Sequence, residues 1–298
     1  MVQVARLGHA AFITPDIDAL LAYYSEVVGL ALMERGSDGA AYLSSNEYHH
    51  QLILYPGTRS EIVHIAFQLN DGLSLQEAAA QLHSHGIEVT MRSDSQPGIA
   101  QLLEFSDPEG YILQLYTTEA QRAQDSTESA DRAIRPQKLG HIALRAQNVQ
   151  NMAEFYQEML GFRVSDWMGD FFVFLRSGPD HHTMNFLQSP RHSLQHMAFE
   201  LKSWGSIQQA CDHLGRHRIQ LLWGPGRHGI GHNIFTYHSN PDGDVIELFT
   251  EIDIMNEEAG YFEPRPWHDD VPQRPKVWEP SPRAANQWGI APPPELMQ

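Results

Sequence analysis

The chain has 298 residues, a formal net charge of −17, 42% hydrophobic residues and one cysteine. That length supports two cores of ordinary domain size, and so acidic a surface would be repelled by the phosphates of a nucleic acid. No apolar run approaches the ~18 residues of a membrane helix, the opening MVQVARLGHAAF reads as a strand and not a signal peptide, and the lone Cys211 excludes an internal disulfide and suits a reducing cytoplasm.

In chain order, a short apolar strand around His9 leads into an amphipathic helix from Asp16 to Val28 that stops at Gly29, a C-terminal helix signal. Ala41-Tyr42-Leu43 reads as a strand, and a second strand–helix–strands cycle begins near Ile62. Glu119 to Arg135 is polar and aperiodic, and reads as a linker. The order then repeats. Leu7-Gly8-His9 returns as Leu139-Gly140-His141, Tyr24 to Gly29 as Tyr156 to Gly161, and Val63-His64 as Gln195-His196, all 132 residues on; Ser106-Asp107-Pro108-Glu109-Gly110 returns as Ser239-Asn240-Pro241-Asp242-Gly243 at 133. Self-similarity on one register marks a duplicated domain. Each copy splits again, giving four βαβββ-like units, two per domain. The expected boundaries are 1–118, a linker over 119–135, 136–255, and a Pro- and Trp-rich tail over 256–298 packed on the body.

Three polar residues stand out in the second copy. His141, His196 and Glu247 each lie mid-strand between apolar neighbours. A buried carboxylate is costly unless paired or metal-bound. Two imidazoles and a carboxylate form the facial set that suits Fe(II) or Mn(II). Each alone also reads as an ordinary core, edge or solvent-facing residue. The first copy keeps His9 and His64 but has Gln114 for the carboxylate, so its site is expected to hold no metal.

With those residues in place, the sequence resembles the extradiol ring-cleavage dioxygenases (catechol 2,3-dioxygenase type) of the vicinal oxygen chelate superfamily, through about residue 275. Gly226-Arg227-His228, Tyr237, Asn240-Pro241-Asp242-Gly243 and Glu247 follow that family's pattern, with Thr236 where an apolar residue is usual. The resemblance implies an α+β fold of two tandem vicinal-oxygen-chelate domains, each of two βαβββ modules forming a curved mixed sheet around a metal cavity. It implies His141, His196 and Glu247 as ligands of Fe(II), with Mn(II) as the alternative, and His228 and Tyr237 as catalytic donors to substrate oxygens. It also implies a catalytic histidine 14 or 15 residues before His196; of the pair there, His181 matches better and His182 is the alternate. His232, Asn233 and Arg265 are expected at the substrate, and Phe172, Val173 and Phe174 are candidates for the pocket wall. The partners implied are an aromatic diol and O2, with no nucleic acid or membrane, in a cytoplasmic homo-oligomer, a tetramer by family habit. The competing readings are a glyoxalase-like metal-dependent isomerase or lyase, which would want a second carboxylate ligand, and a non-catalytic ligand-binding module.

Overall fold

A computed structural model describes residues 1–121, 134–263 and 273–297. The first half runs β1 (Val4–Thr14), α1 (Ile17–Ala22), β2 (Ala31–Arg35), β3 (Ala41–Ser44), β4 (Leu52–Pro56), β5 (Glu61–Leu69), α2 (Leu75–Ser84), β6 (Thr90–Gln96), β7 (Ile99–Ser106) and β8 (Ile112–Tyr116). The second repeats it as β9 (Lys138–Ala146), α3 (Val149–Leu160), β10 (Arg163–Met168), β11 (Phe172–Arg176), β12 (Met184–Gln188), β13 (Ser193–Glu200), α4 (Trp204–Arg216), β14 (Leu221–Arg227), β15 (Ile234–Ser239) and β16 (Val245–Thr250). These are the four βαβββ units that the repeat predicts. After them come the short strands β17 (Met255–Asn256), β18 (Tyr261–Phe262) and β19 (Lys276–Trp278).

Each half is one mixed sheet. The strand order is β2-β3-β4-β1-β5-β8-β7-β6 in the first and β14-β15-β16-β13-β9-β12-β11-β10-β19 in the second. At each centre two antiparallel strands, β1 with β5 and β9 with β13, join the two βαβββ units. The helices form for local reasons: Asp16 and Asn148 cap α1 and α3 by accepting from Ala19 N and Asn151 N, both at 3.0 Å. The helix expected over 16–28 changes hand-hold partway, its second turn Tyr23–Val28 being wound as a π-helix.

The halves share one apolar core. Phe67 packs its ring against Phe162 and Tyr156, with centroids 5.5 and 6.4 Å apart. Burying a side chain of that size stabilises by about 1.5–3 kcal/mol. Tyr23 Oη bonds His238 Nε2 across the same boundary at 2.6 Å. The described part of the tail lies on the second sheet, where β19 adds parallel to β10. Residues 122–133 of the expected linker, and Arg265, lie outside the described residues. No helix among the described residues is long and apolar enough to cross a membrane.

Candidate metal centre and its cavity

The ladder of the second sheet brings the three mid-strand residues together. Ala198 on β13 pairs with His141 on β9 at one side and with Glu247 on β16 at the other. His196 lies two residues from Ala198, and residues two apart in a strand share a face. The small Ala198 thus leaves open space on the face that all three ligating groups address. β-bulges between Leu194 and His196 and between Ala198 and Phe199 bracket this segment and re-aim side chains. Gly140 precedes His141 because a Cβ there would lie 2.4 Å from the Phe249 ring; only glycine lets that aromatic pack onto the strand.

The hairpin that carries Glu247 is set by its turn. Asn240 Oδ1 accepts from Asp242 N at 3.0 Å and Asp244 N at 2.9 Å, an Asx turn that fixes Tyr237 opposite Glu247. The Asn-Pro-Asp-Gly run is therefore a register device.

His141 Nε2 lies 3.0 Å from His196 Nε2 and 3.0 Å from Glu247 Oε2, and His196 Nε2 lies 3.1 Å from the same oxygen. Ligands about 2.1 Å from a common ion stand about 3.0 Å apart at right angles and about 3.4 Å apart at tetrahedral angles. The triangle therefore matches one face of an octahedron, which leaves further positions open. Its donor chemistry matches as well. Gln195 donates through Nε2 to Leu296 O at 2.8 Å, so its Oε1 accepts the Nδ1 proton of His196 and leaves Nε2 as a lone pair. Burial opposes a charge on Glu247, but the two imidazoles beside it outweigh that and hold the carboxyl well below its usual range. Burial likewise lowers His196. Lone pairs and one anion converge, as a divalent cation requires.

Around the triangle is a cavity that opens to solvent. His182, His228 and Tyr237 line it together with Met168, Phe172, Phe174, Trp223, Ile230 and Leu296. Strand alternation sends Phe172 and Phe174 into the cavity and Val173 into the core. His228 donates from Nδ1 to Ala285 O at 2.7 Å, so its Nε2 is an acceptor, 3.1 Å from Tyr237 Oη. Burial keeps this imidazole neutral, lowered to about 4. Tyr237 Oη is also 2.9 Å from Glu247 Oε2, so its one proton has two alternative acceptors. Burial and the neighbouring Glu247 raise its phenol well above the usual value.

Three expectations are corrected by this geometry. The cavity histidine is His182, whose ring packs edge-on against His141 at 4.3 Å between centroids; His181 turns the other way and bonds Asp166 Oδ2 at 3.1 Å. Adjacent residues in the 177–183 loop face opposite sides, so only one of the two can reach the cavity. His232 is not at the cavity, because its Nδ1 bonds Asp253 Oδ2 at 2.6 Å in a buried polar pair. Asn233 does not face substrate either: its Nδ2 donates to Glu247 Oε1 at 2.8 Å, bracing the carboxylate from behind. Gln195, Asn185, Ala285 and Leu296 also line the cavity, beyond the residues that the sequence singles out. A pairing of Gln195 with His196 next to it was the one signal that could have found any of them.

The first half keeps the frame without the chemistry. Ala66 pairs with His9 and Gln114 as Ala198 does with their counterparts. His9 Nε2 and His64 Nε2 are 3.3 Å apart, but the amide of Gln96 reaches His9 Nε2 and Gln114 Oε1, both at 3.4 Å. No carboxylate joins them: among the described residues only His141, His196 and Glu247 form a cluster of three histidine, cysteine or acidic groups close enough to share a metal.

Neutral buried imidazoles make a testable pH dependence. Burial lowers His50 to about 3 and His64 and His238 to about 4, against an unfolded value near 6.5. Between those limits the unfolded chain binds the additional protons, so stability rises with pH and is lost on acidification. Each group contributes a slope of up to about 1.4 kcal/mol per pH unit. Thermal unfolding of the metal-free protein should move steeply to lower temperature from pH 6.5 to 4.5, and a flat profile over that window would contradict the assignment.

A sequence model of the family described as Glyoxalase/Bleomycin resistance protein/Dioxygenase superfamily matches the chain twice, over residues 6–115 and 138–248. The chain is 26% identical to the manganese-dependent 2,3-dihydroxybiphenyl 1,2-dioxygenase of Geobacillus genomosp. 3, over 93% of this chain and 94% of that one. It is 23% identical to an iron-dependent extradiol dioxygenase of Rhodococcus jostii (strain RHA1), over 84% and 90%. Among solved structures it superposes with a TM-score of 0.85 on the Mn(II)-bound glyoxalase from Novosphingobium aromaticivorans, 28% identical, covering 99% of this chain and 94% of that one.

Proposed function

Because this chain belongs to the glyoxalase/bleomycin resistance protein/dioxygenase superfamily, we propose that it is an extradiol dioxygenase, opening the ring of a catechol-type diol with O2 beside the two hydroxyls. The observation that carries this reading is the convergence of a near-equilateral His141–His196–Glu247 triangle with three proton-handling groups on one cavity. Relatives named as iron- and manganese-dependent dioxygenases support it.

His141, His196 and Glu247 would hold Fe(II) or Mn(II), which supplies Lewis acidity toward the diol oxygens and the one-electron chemistry that O2 needs. His182, kept neutral by burial and by His141 and His181, takes a diol proton and returns it as the ring opens. Tyr237 turns its single proton, accepted in the free site by His228 Nε2 or Glu247 Oε2, toward a developing oxyanion. Phe172, Phe174 and Leu296 keep water from the reacting atoms. Asn233 and Gln195 orient Glu247 and His196. One ring C–C bond breaks, and both atoms of O2 end in the ring-opened product.

The same reading makes residues 1–118 a scaffold domain and 136–255 the catalytic one, in a cytoplasmic homo-oligomer. A metal-dependent isomerase is the second reading, favoured by the likeness to the Mn(II)-bound glyoxalase. Glu247 is the one carboxylate lining the cavity among the described residues, which supports the dioxygenase over an isomerase with two acidic ligands.

Oxygen uptake decides between them. Protein reconstituted anaerobically with Fe(II) or Mn(II) should consume one O2 per diol from a catechol panel and yield a coloured ring-opened product. Tight metal binding with no uptake on any catechol would transfer the assignment to the isomerase.

A further inference from the structure

The geometry points to a positioning role for Asp166 and His181: together they keep the proton of His182 on Nδ1 and its Nε2 as a lone pair for the cavity. Asp166 is fully buried on β10. Its carboxylate accepts from Trp278 Nε1 at 2.7 Å, from Lys276 N at 2.8 Å and from His181 Nε2 at 3.1 Å. A carboxylate only accepts, so the His181 proton sits on Nε2 and its Nδ1 is free to accept in turn. His182 Nδ1 lies 2.9 Å from that atom, and opposite a neutral His181 it is the donor of that bond. The proton on the cavity histidine is thereby specified by a carboxylate two side chains away. This is the logic by which an aspartate fixes the tautomer of a catalytic histidine in hydrolases, extended by one imidazole.

Two features show that the array is built. Gly231 has a positive φ of 75°, and a Cβ there would lie 3.2 Å from both His181 Nδ1 and His182 Cε1; glycine clears the space in which the two rings meet. The chain also carries its own control. The first half repeats the array 132 residues earlier as Glu34, His49 and His50, with His49 Nδ1 3.0 Å from His50 Nδ1. There, however, the carboxylate is 47% exposed and 3.6 Å from the imidazole. The second half has shortened the contact and sealed it beneath β19, whose backbone and indole hold Asp166. The tight version occurs in the half with the metal triangle.

The inference rests on the ring-cleaving reading only for what Nε2 does, so the test reads the tautomer without turnover. Histidine-ring 15N spectra would be recorded on the full chain loaded with zinc, a diamagnetic ion, with His182→Gln used to assign the resonance. His182 is expected to be neutral with the proton on Nδ1. His181→Leu removes the acceptor and should move that proton to Nε2. His181→Gln should restore it, because an amide can donate to Asp166 and accept from His182. In oxygen uptake, His181→Leu should lose about 100-fold in kcat, within the range of a general base, with KM little changed, and His181→Gln should recover most of the loss. A wild-type His182 protonated on Nε2, or leucine and glutamine variants that lose kcat and KM together and equally, overturns the proposal. An Nδ1-protonated His182 in a protein that consumes no O2 overturns the ring-cleaving reading and leaves this one standing.

Discussion

Glu247→Gln should leave a folded protein that no longer retains its metal. The fold survives because the first half already carries Gln114 at the matching register, opposite Glu104 as Glu247 stands opposite Tyr237. The site does not survive, for two reasons. Glutamine removes the one negative charge of the triangle, leaving neutral donors for a divalent ion. It also reverses hydrogen-bond polarity, since Glu247 accepts from Asn233 at 2.8 Å and from Tyr237 at 2.9 Å. An amide nitrogen facing either donor is mismatched. Removing a partner that merely orients a ligand costs 10–100-fold in metal affinity, so loss of the ligand charge should cost at least about 100-fold, with turnover lost in parallel. Metal analysis after dialysis, alongside a thermal melt, checks this. A variant that keeps one ion per chain would remove Glu247 from the ligand set.

His182→Phe should separate chemistry from metal binding. The ring packs edge-on against His141 and Phe174 at 4.3 and 5.4 Å, contacts that a phenyl ring can largely keep. His182 is outside the triangle, so metal content should stay at the wild-type level. Loss of the proton acceptor should lower kcat by about 10²–10⁴-fold, the ordinary worth of a general acid–base group. The same substitution at His181 disturbs a network behind the cavity and leaves His182 in it. Turnover within tenfold of wild type in His182→Phe would exclude that residue as the base.

The parts of this protein that the sequence exposes are those tied to periodicity and repetition. The four βαβββ units and the positions of His141, His196 and Glu247 follow from one register, because strand alternation and ladder pairing act on every residue alike. Even Gln114 in the first half is readable on that basis. Loops lack such a rule. His181 and His182 are neighbours, and which of them faces the cavity depends on the Asp166 carboxylate on β10 and the Asp253 carbonyl after β16, both distant in sequence. Its place beside the Gly226–His228 loop makes Asn233 a candidate substrate contact in sequence, yet its amide is aimed at the back of Glu247. The segment carrying Ala285 and Leu296 has no periodicity, so its closure over the cavity could not be foreseen from composition.

The alanine at the centre of each ladder has a consequence for metal choice. His141 and Glu247 both take their position from backbone pairing with Ala198, so the triangle is laid out by the sheet and not by the ion. A frame of this kind is preorganised: the incoming cation reorganises little and is held to the octahedral face it finds. Such a frame excludes ions that insist on another geometry, but it discriminates poorly between two of similar size with the same preference, such as Fe(II) and Mn(II). Which of them the protein carries is then decided by supply, outside the molecule.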